Sequence, residues 1–234
     1  MDGQKVALIV GAGSGLSASL ARTFSTEGMN IALAARNTDK LSAIADQTGA
    51  KLYNCDAVDV EQVDHLFSAV MEQLGTPNVV VFNASSRVRG EITKINPEEV
   101  RNALLVTAFG GFLVGQAAAK LMVPAGRGTI FFTGASAGVK GFPMSATFAM
   151  GKFGLRGLAQ SMARELHPKN IHVVHVVVDG GIRSLEKARV EGASDEADKW
   201  LDPDAIANTY YHLYTQHRSS WSWEIEVRPW VENF

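Results

Sequence analysis

The chain has 234 residues, a formal net charge of −2 and 46% hydrophobic residues. That length suits one large α/β domain with a sizeable core, and the near-neutral balance gives no electrostatic footing for nucleic acid or an anionic membrane. The one cysteine, Cys55, excludes an internal disulfide and points to a reducing, cytoplasmic setting.

Residues 6–10 form an apolar run, broken at once by Gly11, Gly13 and Gly15, which leaves no room for a signal-peptide core. Leu16, Leu20 and Phe24 then recur at fourfold spacing and predict a helix over 14–27, closed by Gly28. A second strand is expected over 31–35, a helix over 39–47 capped by Thr38, and a third strand over 52–55. Asp59 with Gln62 three residues on has capping-box spacing, and the helix it opens carries Val63, Phe67, Val70, Met71 and Leu74 on one face. A fourth strand follows over 79–82. The second half predicts a long apolar helical region over 97–122, a strand over 129–133, a helix over 146–166, a strand over 171–178, a helix over 205–214 and a last strand over 223–227. The apolar stretch 103–119 contains Thr107, Gln116 and three glycines, and reads as a buried helix, not a membrane span. Strands apolar on both faces and separated by helices imply α/β architecture: a doubly wound, Rossmann-like parallel sheet with helices on both faces. Segment 183–202 is charged and aperiodic, either a substrate lid or a surface loop.

The first strand runs straight into Gly11-Ala12-Gly13-Ser14-Gly15-Leu16-Ser17. Glycines at such a turn let backbone N–H groups approach a pyrophosphate at the helix N-terminus. The strict G-x-G-x-x-G spacing fails, because its last position falls on Leu16. The second strand ends Ala35-Arg36-Asn37, with no acidic residue to hold a ribose 2′-hydroxyl. Arg36 suits a 2′-phosphate, so NADP(H) is expected over NAD(H). Asp56 after the third strand is either an adenine acceptor or a turn former. Asn83 and Ala84 after the fourth strand are placed to form the cofactor floor.

These motifs, in this order, resemble the classical short-chain dehydrogenase/reductase superfamily over nearly the whole chain. The family's T-G-x-x-x-G-x-G turn is similar to Val10–Ser17, retaining Gly11 and Gly15; its N-N-A-G is similar to Phe82-Asn83-Ala84-Ser85; its Tyr-x-x-x-Lys matches Phe148 to Lys152. The family's Pro-Gly after the sixth strand matches Asp179-Gly180, with Ile182 beyond it on the cofactor side. The resemblance implies a Tyr acid/base, a Lys clamp on the nicotinamide ribose, a Ser that orients the carbonyl and an Asn in a proton relay. Carried over by position, only Lys152 survives: the Tyr falls on Phe148, the Ser on Ala135 next to Ser136, the Asn on Thr107. The chain therefore resembles a divergent subgroup with Phe for Tyr.

A phenyl ring cannot donate a proton. The expected activity is NADP(H)-dependent hydride transfer to a hydrophobic carbonyl, imine or activated alkene. Asp179, kept protonated by burial, is the preferred acid, with Ser136, Lys140 and His175 behind it; His175, inside an apolar strand, reads better as core. The alternatives are a catalytically silent NADP(H)-binding regulator or scaffold, and a non-redox enzyme using the same pocket. Phe142, Pro143, Met144, Phe148 and Met150 are expected to give an apolar substrate pocket. Trp221, Trp223 and Trp230, with the two long helices that form the family's dimer face, imply a homodimer or homotetramer. No metal site is expected.

Overall fold

In a computed structural model of the chain, residues 4–184, 189–190 and 198–232 are described. Seven strands pair in parallel: β1 (Val6–Val10), β2 (Asn30–Ala35), β3 (Lys51–Asn54), β4 (Val79–Phe82), β5 (Gly128–Thr133), β6 (Ile171–Val178) and β7 (Glu224–Val227). Their order is β3-β2-β1-β4-β5-β6-β7. The helices are α1 (Leu16–Thr26), α2 (Ser42–Thr48), α3 (Val60–Leu74), α4 (Pro97–Leu104), α5 (Gly110–Ala125), α6 (Ala146–Leu166) and α7 (Pro203–Tyr214).

Side chains alternate across a strand, so each buried strand feeds two cores. In β1, Val6, Leu8 and Val10 join the core under α3, α5 and α6, whose Phe67, Val114 and Leu155 meet them. Ala7 and Ile9 join the opposite core, with Leu20 and Phe24 of α1 and Tyr210 of α7. This is the doubly wound Rossmann-like sheet that the strand pattern predicts. Sequence order reverses between β1 and β4, and their carboxyl ends open the crevice where such folds take ligands.

Three expectations change in detail. The helical region over 97–122 is α4 and α5 joined by a π-helical turn, Leu105–Phe109, centred on buried Thr107; such turns often mark functional positions. Pro97–Ala125 is long and apolar enough for a bilayer, yet Val114, Ala118 and Met122 are buried in the sheet core. Asp59 does cap α3, accepting from the Gln62 N–H at 3.0 Å, but the Gln62 side-chain oxygen turns to the Asp56 N–H instead of closing the box. Thr38 makes no cap bond; Asn37 Oδ1 accepts from the Asp39 N–H in its place. Residues 185–188 and 191–197 of the expected lid lie outside the described residues.

Candidate active site

A cleft of about 1340 Å³ runs along the carboxyl ends of the strands. At one end it is walled by backbone. Gly11 has φ 81°, and a Cβ there would lie 2.4 Å from the Ala84 nitrogen. Only glycine lets the turn after β1 pass so close to the loop after β4. The Gly11 and Ala12 N–H groups both donate to Ala34 O, tying the turn to β2. Asn83 holds the other side: its N–H donates to Val10 O and its Nδ2 to Ser17 Oγ at 2.8 Å.

Gly13, Ser14, Gly15 and Leu16 line the cleft. A Cβ added at Gly13 or Gly15 would meet nothing within 4 Å. The space in front of them is therefore open to a ligand. Helix α1 starts there with Gly15 at its N-cap, no side-chain cap bond and no acid in its first turn. Uncapped N–H groups and the positive end of the helix dipole favour an anion. The donor set fits the pyrophosphate of a dinucleotide.

The two residues expected at the adenosine are differently placed. Arg36 is exposed at the end of β2 and is not part of the cleft wall; Lys40, which the sequence reading passed over, is. Asp56 accepts from the Val58 N–H at 3.3 Å, the turn-forming arrangement, and also lies outside the wall.

The other end of the cleft is made of side chains. Phe148 and Lys152 are four residues apart on α6 and so share a face. Lys152 is buried, at 3% exposure, and its Nζ donates to Thr133 O at 2.6 Å. Burial penalises its charged form and brings the ammonium down to about 7. The Lys152 Nζ lies 5.8 Å from the centre of the Phe148 ring, and the Arg87 guanidinium carbon 5.2 Å from the same point. Ser136 opens the short 3-10 turn Ser136–Gly138 after β5 and lines the cleft beside Ala135. Thr107 does not line it: its Oγ1 accepts from the Ser86 N–H at 3.1 Å and holds the loop after β4.

Asp179 reaches the cleft, but not as a carboxyl in an apolar site. It accepts from Arg228 at 2.8 Å and from Lys140 at 3.5 Å. Both cations are distant in sequence, 49 and 39 residues away. Gly180 and Ile182 line the wall as expected. Gly180 has φ 145°, with Pro229 packed where a Cβ would stand, and Ile182 bridges to Leu201.

Of the expected apolar lining, Phe142, Pro143 and Phe148 face the cleft, whereas Met144 and Met150 are exposed outside it. His175 is core: fully buried, its Nδ1 is 2.9 Å from Glu224. Trp221 stacks on His172 and Trp223 packs against the core, leaving Trp230 exposed. The sequence reading also missed Arg87 and Arg89, which line the reaction end. Their signal is an Arg-Val-Arg step just after Asn83-Ala84-Ser85, two residues apart and so able to face one way.

Comparison with known proteins agrees with this architecture. The family model described as short chain dehydrogenase matches residues 5–188. The chain is 33% identical over 181 residues to a trans-4-hydroxycyclohexanecarboxylate dehydrogenase of Sinomonas cyclohexanicum, covering 73% of this chain and 70% of that one. Among solved structures, a short-chain dehydrogenase from Rhodopseudomonas palustris superposes with a TM-score of 0.84 at 33% identity, over 97% of this chain and 99% of that one. A metagenomic short-chain oxidoreductase in complex with NADP gives a TM-score of 0.84 at 27% identity, over 97% and 98%. The chain belongs to the short-chain dehydrogenase family of oxidoreductases.

Proposed function

We propose that the protein is an NADP(H)-dependent oxidoreductase that reduces a hydrophobic carbonyl, imine or activated alkene, with no phenol at position 148 to supply the proton. The observation that carries this reading is the shared cleft: the open glycine turn Gly11–Leu16 and buried Lys152 line the same space. The NADP-bound structural relative supports the choice of cofactor, and so does Lys40 in the wall with no acid at the end of β2. When bound, the nicotinamide supplies hydride.

The chain's own residues do the rest. Gly13, Gly15 and the α1 N-terminus hold the phosphates, and Asn83 and Gly11 fix the floor against which the cofactor lies. Lys152 clamps the ribose and holds a proton in the cleft. An ammonium that titrates near neutrality can give up a proton at working pH, which Phe148 cannot do. Asp179 orients Lys140 and Arg228 instead of serving as the acid. The cyclic hydroxy acid named for the Sinomonas relative suggests a compact ring substrate here, which Phe142, Pro143 and Phe148 suit.

We propose a homo-oligomer as the working form, on a surface outside the cleft. Phe109 and Phe112 stack with centroids 6.3 Å apart, and both are exposed, as is Phe153 of α6. Exposed aromatics on adjoining helices suit a self-association face. We place the protein in the cytoplasm, with no nucleic-acid or membrane partner.

Fluorescence titration with NADPH and NADH, followed by NADPH oxidation over ketones, imines, enones and quinones, tests the proposal. Micromolar NADPH binding with turnover of one class is expected. Binding without turnover of any class selects the silent regulator; no binding below about millimolar overturns the reading.

A further inference from the structure

We infer that Arg87 and Arg89 form a subsite for a carboxylate on the substrate, which makes the preferred substrate an apolar carbonyl compound bearing an acid group. This rests on the oxidoreductase reading above and names its substrate class.

Both arginines stand on the loop that leaves β4. That loop is pinned at three points: Asn83 N–H to Val10 O, Ser86 N–H to Thr107 Oγ1, and Gly90 N–H to Met144 O. Their backbone is thus held before any ligand arrives, which lowers the entropy lost on binding. Both side chains line the cleft and both are exposed, while Val88 between them does not line it. Arg156, Arg183 and Arg228 each meet a carboxylate of the chain. Among the described residues, no ion pair engages Arg87 or Arg89; Arg87 lies over Phe148 and its charge remains available.

Location separates this subsite from the cofactor's phosphates. On the reading above, those are held by the glycine turn and Lys40, which line the cleft. Arg87 lies over Phe148, and Gly90, next to Arg89, donates to Met144 O beside Phe142 and Pro143; Arg87, Arg89, Phe142, Pro143 and Phe148 all line the cleft. Apolar rings beside unpaired guanidinium groups fit a ligand with a hydrophobic body and a planar anion, since the guanidinium fork matches a carboxylate in a bidentate manner. Two further acids line the cleft, Asp179 and Glu232, and Asp179 is already engaged by Arg228 and Lys140. The chain as a whole is negative at −2, so attraction of an acid to this end is a local design of the cleft and not a consequence of net charge.

The experiment uses the full chain saturated with NADP⁺, titrated calorimetrically with 4-oxocyclohexanecarboxylate and with its neutral methyl ester. Charge-assisted hydrogen bonds predict about 10–100-fold tighter binding of the acid than of the ester. The exposed positions tolerate substitution, so R87Q and R89Q fold; each should bring the ratio toward one, R89K should restore part of it, and NADPH affinity should hold. Equal binding of acid and ester by the wild type overturns the inference while leaving the oxidoreductase reading in place. So does an unchanged ratio in the double variant R87Q/R89Q, or an equal loss of NADPH affinity, which assigns the arginines to the cofactor. Inorganic phosphate competing as well as the keto acid shows a generic anion site and also overturns it. A wild type that fails to bind NADPH removes the reading beneath and the subsite with it.

Discussion

The two ends of the cleft use different materials. At the nucleotide end the working atoms are backbone: N–H groups at Gly13–Leu16, a turn that exists because Gly11 reaches φ 81°, and Asn83 bonded back to Val10. At the reaction end they are side chains from two loops and α6: Lys152, Phe148, Arg87, Arg89, Asp179. Backbone sites depend on a few small residues at fixed spacing. Side-chain sites depend on which distant segments meet.

That difference decides what was legible in the sequence. The strand pattern is most legible where a strand is buried on both faces and reads as a continuous apolar run, as in β1 and β6, and weakest at the half-exposed edge strands β3 and β7. Gly11, Gly13 and Gly15 reveal the turn for a similar local reason. Asp179 shows the limit. Its burial could be guessed from the apolar strand before it, but Arg228 arrives from beyond β7, and no local pattern announces that pairing. Arg36 and Lys40 make the same point at smaller scale: the short turn after β2 rotates one cation out of the wall and the other in.

The largest expected effect strikes the nucleotide end. Gly11→Val adds a branched side chain where a Cβ already lies 2.4 Å from the Ala84 nitrogen, at a φ that β-branched residues avoid. A loss of roughly 3 kcal/mol or more is expected, with NADPH binding abolished. Urea unfolding and NADPH titration measure both, and a wild-type midpoint would contradict the close approach.

Lys152→Met strikes the reaction end and also removes the proposed ribose clamp. Turnover should fall about 10²–10⁴-fold, the range of general acid help, with no loss of stability at neutral pH, because a buried ammonium is removed. The pH dependence follows from the depressed lysine. The native group titrates near 7 and the unfolded one near its ordinary 10.5. Between those values the unfolded chain binds more protons, so native stability rises with pH across that window and the variant loses this rise. With Lys152 as the proton source, the reduction rate of the wild type should fall as pH climbs through about 7. A rate independent of pH from 6 to 9 moves the proton to another donor.

Asp179→Asn separates ion-pair scaffold from acid. The carboxylate is buried against Arg228, so its neutral isostere should cost about 1–3 kcal/mol. Turnover per folded molecule should keep the wild-type pH profile. A profile that loses its limb in Asp179→Asn but keeps it in Lys152→Met would exchange the roles assigned to the two residues.

The smallest effects come from the cations at the adenosine end, where backbone and side chain both contribute. Lys40 stands in the cleft wall and Arg36 outside it. Both are exposed, so solvent screens their charge and each contributes modestly. Lys40→Glu should weaken NADPH about 10-fold, since it places a carboxylate beside the 2′-phosphate, and leave NADH nearly unchanged. Arg36→Asp should cost NADPH only a few-fold by the same screening argument. The ratio of the two losses is the informative number. If Arg36→Asp proves the more damaging, the guanidinium swings into the wall when the phosphate binds, and the exposed position of Arg36 describes the ligand-free chain alone. If Lys40→Glu dominates, the wall is already in its binding arrangement, and the cofactor selectivity of this end lies in a turn geometry that Asn37 sets by accepting from the Asp39 N–H.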